Sequence, residues 1–180
     1  MKKRTTMLAL LLATGAGTCL QAQEKLTQFK VRDAITVRTP IMNDSINPKG
    51  EKYADKDLLK TPVVLDLADA PFQVLSTDTA GVLSFPKAEK DHSIYLLETS
   101  LRAERFMTGK LKVTSPARWE IFINGESKMS KENAEDSISG ASTREVNLRL
   151  EPEADYEITI KLLSGSKDKA APTLKCELIK

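Results

Sequence analysis

The sequence predicts an all-β chain, a two-sheet antiparallel β-sandwich of jelly-roll-like type, on three observations. First, Val146, Leu148 and Leu150 alternate with Asn147 and Arg149. Tyr156, Ile158, Ile160 and Leu162 alternate with Glu157, Thr159 and Lys161, and Leu174, Cys176 and Leu178 repeat the pattern. Such alternation means strands with one wet and one buried face. Second, Trp119, Ile121 and Ile123 share a face and run into Asn124-Gly125. That dipeptide suits a type I′ hairpin turn, whose two central residues both need positive φ. Third, no segment beyond residue 22 shows a convincing 3.6-residue apolar period. Short strands punctuated by turn residues indicate a sandwich or barrel.

The elements follow in order. Residues 1–22 read as a signal peptide, with Lys2-Lys3-Arg4 before a short apolar run at 7–13 and a small, polar-leaning end. That run is far shorter than the roughly 20 residues of a membrane span. Cys19 near its end is a candidate for lipidation, although Ala16-Gly17-Thr18 is a poor match to a lipoprotein box. Residues 23–60 read as an extended polar segment holding one or two short strands around Asp33-Ala34. Residues 61–180 read as the sandwich proper. Its strands centre on Pro62-Val63-Val64-Leu65, Phe72-Gln73-Val74-Leu75, Val82-Leu83-Ser84-Phe85, residues 93–101, Leu111/Val113, the hairpin at 118–129, and the three alternating runs. Residues 131–143 read as a polar loop.

The chain holds 27 Lys+Arg, 25 Asp+Glu and one His. Without Lys2, Lys3 and Arg4 the remainder is almost neutral. It shows no basic stripe, so nucleic acid is not an expected partner. After cleavage near Ala22, Cys176 is the single cysteine, and no internal disulfide can form. The expected location is exported: periplasmic, or associated with the cell surface or outer membrane.

Motifs of catalysis are sparse. There is no Gly-x-Ser-x-Gly elbow to present a serine. His92 follows Lys90-Asp91 and reads as a solvated loop residue, while Cys176 reads as a buried core residue. One His and one mature Cys cannot supply the four ligands of a structural zinc site. Asp55, Asp57, Asp66 and Asp69 lack the spacing of a calcium loop and read as solvated charges. No cofactor is expected. Among the aromatics, Trp119 and Tyr156 share faces with aliphatic residues. Tyr95 and Phe122 lie on the opposite faces of their strands and are the candidates for an exposed binding surface.

The run Phe72-Gln73-Val74-Leu75-Ser76-Thr77-Asp78-Thr79-Ala80-Gly81 leads into Val82-Leu83-Ser84-Phe85. Then come Phe106–Val113, Trp119–Gly125 and the closing run 146–152. This order resembles the N-terminal β-sandwich that precedes the β-propeller of secreted prolyl-oligopeptidase-like (S9) peptidases of Bacteroidetes. It is also similar to jelly-roll accessory modules of glycoside hydrolases. The resemblance covers residues 71–180 and carries over no catalytic residue, because the propeller and hydrolase domains are absent. It implies a non-catalytic accessory module that positions a hydrolase or propeller domain, or binds glycan or peptide. A small carboxylate-dependent hydrolase and a carbohydrate-binding lipoprotein stay open as alternatives. Asp44-Ser45-Ile46, Asp78-Thr79-Ala80 and Asp136-Ser137-Ile138 resemble the O-glycosylation signal of the same bacterial group, with Ser45, Thr79 and Ser137 as acceptors.

Overall fold

The computed structural model describes residues 23–37, 50, 55–60, 71–89 and 91–180. Among them the strands are β1 (Gln23–Lys25), β2 (Gln28–Arg32), β3 (Ile35–Val37), β4 (Phe72–Ser76), β5 (Val82–Ser84) and β6 (His92–Arg102). They continue with β7 (Met107–Thr114), β8 (Arg118–Ile123), β9 (Glu126–Lys131), β10 (Thr143–Leu150), β11 (Asp155–Gly165) and β12 (Thr173–Ile179). One short helix, α1 (Asp55–Leu59), accompanies them. Two antiparallel sheets result, so the chain is a β-sandwich. The smaller sheet runs β1-β12-β7-β10 with β5 also on β12. The larger runs β4-β2-β6-β11-β8-β9 with β3 also on β6.

The segment 23–37, which precedes the expected sandwich at 61–180, contributes strands to both sheets. β1 pairs with β12 in one sheet, while β2 and β3 pair with β6 in the other. Phe29 and Val31 reach the core between them. The sandwich therefore takes in part of the segment that composition marked as polar. The strand expected at 62–65 and the leader 1–22 lie outside the described residues.

The core follows the alternation. Ile121, Ile123, Leu148, Leu150, Ile158, Ile160 and Leu162 are all buried between the sheets, with Trp119 and Cys176 among them. Each fully buried aliphatic side chain contributes ~1.5–3 kcal/mol. Asn124 and Gly125 take φ values of 50° and 77°, as a type I′ turn demands. The Asn124 carboxamide oxygen then accepts the Glu157 amide at 2.9 Å, tying the turn to β11. Gly109 is needed for a different reason. A Cβ there would sit 2.6 Å from the Ile179 carbonyl, where β12 ends against β7.

The outer face of the larger sheet departs from expectation. Ile94, Leu96 and Leu163 form a second apolar cluster with Leu58 and Leu59 of α1. Lys161, expected on a wet face, is only 2% exposed. Burial pushes its ammonium below the ordinary lysine value, and nearby Glu120 partly offsets this. β6 and β11 are central strands whose outer face is also covered, so period-2 alternation separates their two faces without marking one as solvent.

Candidate functional site

The start of β6 divides two polar regions. On the outer side lies a closed ion network. His92 opens β6 and is not the solvated loop residue expected. Its Nε2 lies 3.1 Å from an Asp55 carboxylate oxygen, with its side chain 15% exposed. The other Asp55 oxygen meets the Arg118 guanidinium at 2.6 Å. Arg118 also donates to both oxygens of Asp168 at 2.9 Å, and the Gly165 amide donates to Asp168 at 2.7 Å. Together these contacts fasten α1 and the turn after β11 onto β6 and β8. Each member is held by another, so the network is a staple.

On the inner side, a cleft of about 710 Å³ opens at the sandwich edge. Its walls are β2 to β4 on one side and residues 85–89 and Asp91 on the other. Arg32, Asp33, Thr36, Gln73, Glu89, Asp91 and Ser93 line it with guanidinium, carboxylate, amide and hydroxyl groups. Phe85 and Tyr95 supply an apolar floor, their ring centroids 4.8 Å apart. Residues 85–89 and Asp91 are anchored at several points. The Tyr95 hydroxyl donates to the Pro86 carbonyl at 2.7 Å, and the Phe85 amide donates to the Pro172 carbonyl at 2.9 Å. The Ser166 amide donates to the Asp91 carbonyl at 2.9 Å. The cleft is thus preformed, and its volume falls within the ~300–1,000 Å³ of small-molecule sites.

The two residues expected on a contact surface stand apart, and of them only Tyr95 lines the cleft. Tyr95 is buried, because the loop after β5 folds over it, and burial raises its phenol above the ordinary value. Phe122 is half-buried on the opposite face of the sheet, with β11 between β8 and β6, so the two residues do not meet. The exposed aromatics are instead Phe72 and Phe106, with Lys30 and Arg149 over their respective rings. No alternation could have singled these out, since both stand at strand ends. Thr79 and Ser137 sit in exposed turns. The Thr79 carbonyl accepts Lys25, and the Ser137 hydroxyl accepts the Gly140 amide. Ser45 and Cys19 lie outside the described residues.

The buried Cys176 thiol is pushed well up by burial and by Glu177, which makes the thiolate inaccessible near neutral pH. No group of three or more His, Cys, Asp or Glu side chains suited to a metal ion occurs among the described residues. No helix among them is long and apolar enough to cross a membrane.

No family model and no curated protein matches the chain. Among solved structures, it is similar to a PA14 sugar-binding domain from an RTX adhesin, with 13% identity and a TM-score of 0.48. That match covers 84% of this chain and 88% of the domain. A β-glucosidase from Kluyveromyces marxianus in complex with glucose matches with 12% identity and a TM-score of 0.46. It covers 86% of this chain, which spans only 15% of the enzyme. A family 35 carbohydrate binding module from Clostridium thermocellum matches with 9% identity and a TM-score of 0.42, over 87% of this chain and 97% of the module.

Proposed function

We propose that the chain is a non-catalytic β-sandwich module that binds a glycan in the cleft between β2–β4 and residues 85–89 and Asp91. The observation that carries this reading is the cleft's chemistry. Planar polar groups, both donors and acceptors, surround an apolar floor in a preformed volume of about 710 Å³. Sugars present hydroxyls that both donate and accept, on rings with apolar faces, and such walls suit them. The groups that catalysis would draw on are engaged elsewhere. His92 is held in the staple by Asp55, and Cys176 lies in the core.

The finer reading places this module on an exported protein, beside a propeller-type S9 hydrolase. It rests on the resemblance of residues 71–180 and on the leader-like residues 1–22. Modification at Thr79 and Ser137, and at Ser45 or Cys19, belongs to the same reading. The reading frame after Lys180 and the intact mass of the secreted chain test these points.

The binding claim is tested by calorimetric titration of the chain with a panel of soluble oligosaccharides. At least one should bind, and Glu89→Ala or Gln73→Ala should weaken it while leaving the melting curve unchanged. Turnover of any glycoside, ester or peptide that disappears in His92→Ala would replace this reading with an enzymatic one.

A further inference from the structure

We propose that β10 pairs antiparallel with β10 of a second copy of the chain, joining the two smaller sheets across a two-fold axis at Asn147. Among the described residues β10 pairs with β7 alone, through eight consecutive positions from Thr143↔Thr114 to Leu150↔Met107, with no register shift. Its other side presents a row of backbone N–H and C=O groups to a further strand. The other sheet edges are less suited. β9 carries a bulge: Ile121 pairs with Met129 and Phe122 with Ser127, which leaves Lys128 over. β4 has five residues and follows Pro71, while β1, β3 and β5 have three each. β10 is long and regular and holds neither proline nor glycine.

The order of charges along β10 identifies the occupant. When a strand pairs with its own copy, each residue meets the one equally far beyond the axis. With Asn147 on the axis, Glu145 of each copy stands opposite Arg149 of the other. All three residues are exposed on the outer face of the sheet. Glu145 already accepts from Lys110 at 2.8 Å, and Arg149 Nε donates to Glu151 at 3.2 Å. The guanidinium has five N–H donors, so its terminal nitrogens can serve a second carboxylate. On the inner face the same register sets Val146 opposite Leu148, both core residues, and so continues one apolar interior into the next. Neighbouring registers match worse. An axis at Leu148 sets Glu145 opposite Glu151, and an axis at Glu145 or Arg149 puts like charges together. An axis at Val146 leaves Glu145 opposite Asn147, and an axis between residues sets outer side chains against inner ones. β4 and β9 end the larger sheet on opposite sides, and β9 leads into β10, so the pairing leaves the cleft beside β2–β4 clear. Neither proposal depends on the other.

Sedimentation of the full chain from micromolar to millimolar concentration tests this, and the chain should pass from monomer to dimer. Glu145→Arg and Arg149→Glu each set like charges opposite one another at both ends of the contact. Each should raise the dissociation constant by about tenfold or more. Circular dichroism of both variants should match the parent, since both positions are exposed. Mixed in equal amounts, the two variants should associate again as a heterodimer, because every pair across the axis is then opposite in charge. A monomer at every concentration, a single variant that dimerises like the parent, or a mixture no tighter than its components would overturn the proposal. So would a dimer broken by Val74→Lys, a change at a 61% exposed position that would move the contact to β4.

Discussion

The two polar regions flanking the start of β6 contain similar residue types and are built for opposite ends. The staple of Asp55, His92, Arg118 and Asp168 is bonded within itself, with His92 Nδ1 left buried and without a partner. The cleft, whose lining includes Gln73 and Glu89, is open to solvent, with its loop anchored from behind. Adjacent residues divide between them: His92 and Ile94 face α1, whereas Ser93 and Tyr95 face the cleft and the core. Residue type alone therefore says little about function in this chain. Whether a polar side chain holds the fold or remains available to a ligand is decided by what packs on each face of the sheet.

The largest effect should come from the core that both regions share. Ile160→Ala should cost ~2–5 kcal/mol in urea melts, since Ile160 is fully buried between the sheets. Next comes the staple. Arg118→Ala should cost about 2–3 kcal/mol, below the value for a fully buried pair because Asp55 is 42% exposed. It should leave binding in the cleft intact. A loss of binding without a loss of stability would merge the two regions into one site.

A smaller effect is expected at Lys161. Lys161→Ala should cost about 1–2 kcal/mol through lost packing of its stem. Lys161→Met keeps that packing without a buried charge and should be close to neutral. Equal losses in both variants would mean that the ammonium itself, and not the stem, is what the outer face requires.

Acid pH offers a finer probe. Burial alone would raise the Glu135 carboxyl, but hydrogen bonds from Lys131 and the Ser142 amide outweigh it and hold the group below its ordinary value of 4.5. Its folded pKa is depressed, so the stability it contributes is present above 4.5 and is lost as pH falls through the lower folded value. Glu135→Gln should flatten that part of the acid limb of stability against pH. An unchanged limb would remove Glu135 from the account.

The strands were legible because each carries its own face in its own residues. Trp119, Ile121 and Ile123 announced β8, and Asn124-Gly125 announced its turn. The faces of β11 are equally clear in the sequence, yet alternation alone marks Lys161 as wet, because its cover comes from elements distant in sequence. His92 was opaque for the same reason: its partner Asp55 lies 37 residues away on a five-residue helix too short to show a period. β2 was only a faint signal because Phe29 and Val31 are embedded among polar residues. The cleft could not be read at all, since it is made where β2, β3 and β4 meet a loop that returns only after β5.

The most direct test of the binding reading is an amide-shift titration by NMR with an oligosaccharide selected from the panel. The account predicts shifts confined to residues 31–36, 73–75 and 85–95, lost in Glu89→Ala while the Arg118→Ala spectrum still responds. Shifts centred on the staple at residues 55–59, 118 and 168, or none at saturating sugar, would contradict it.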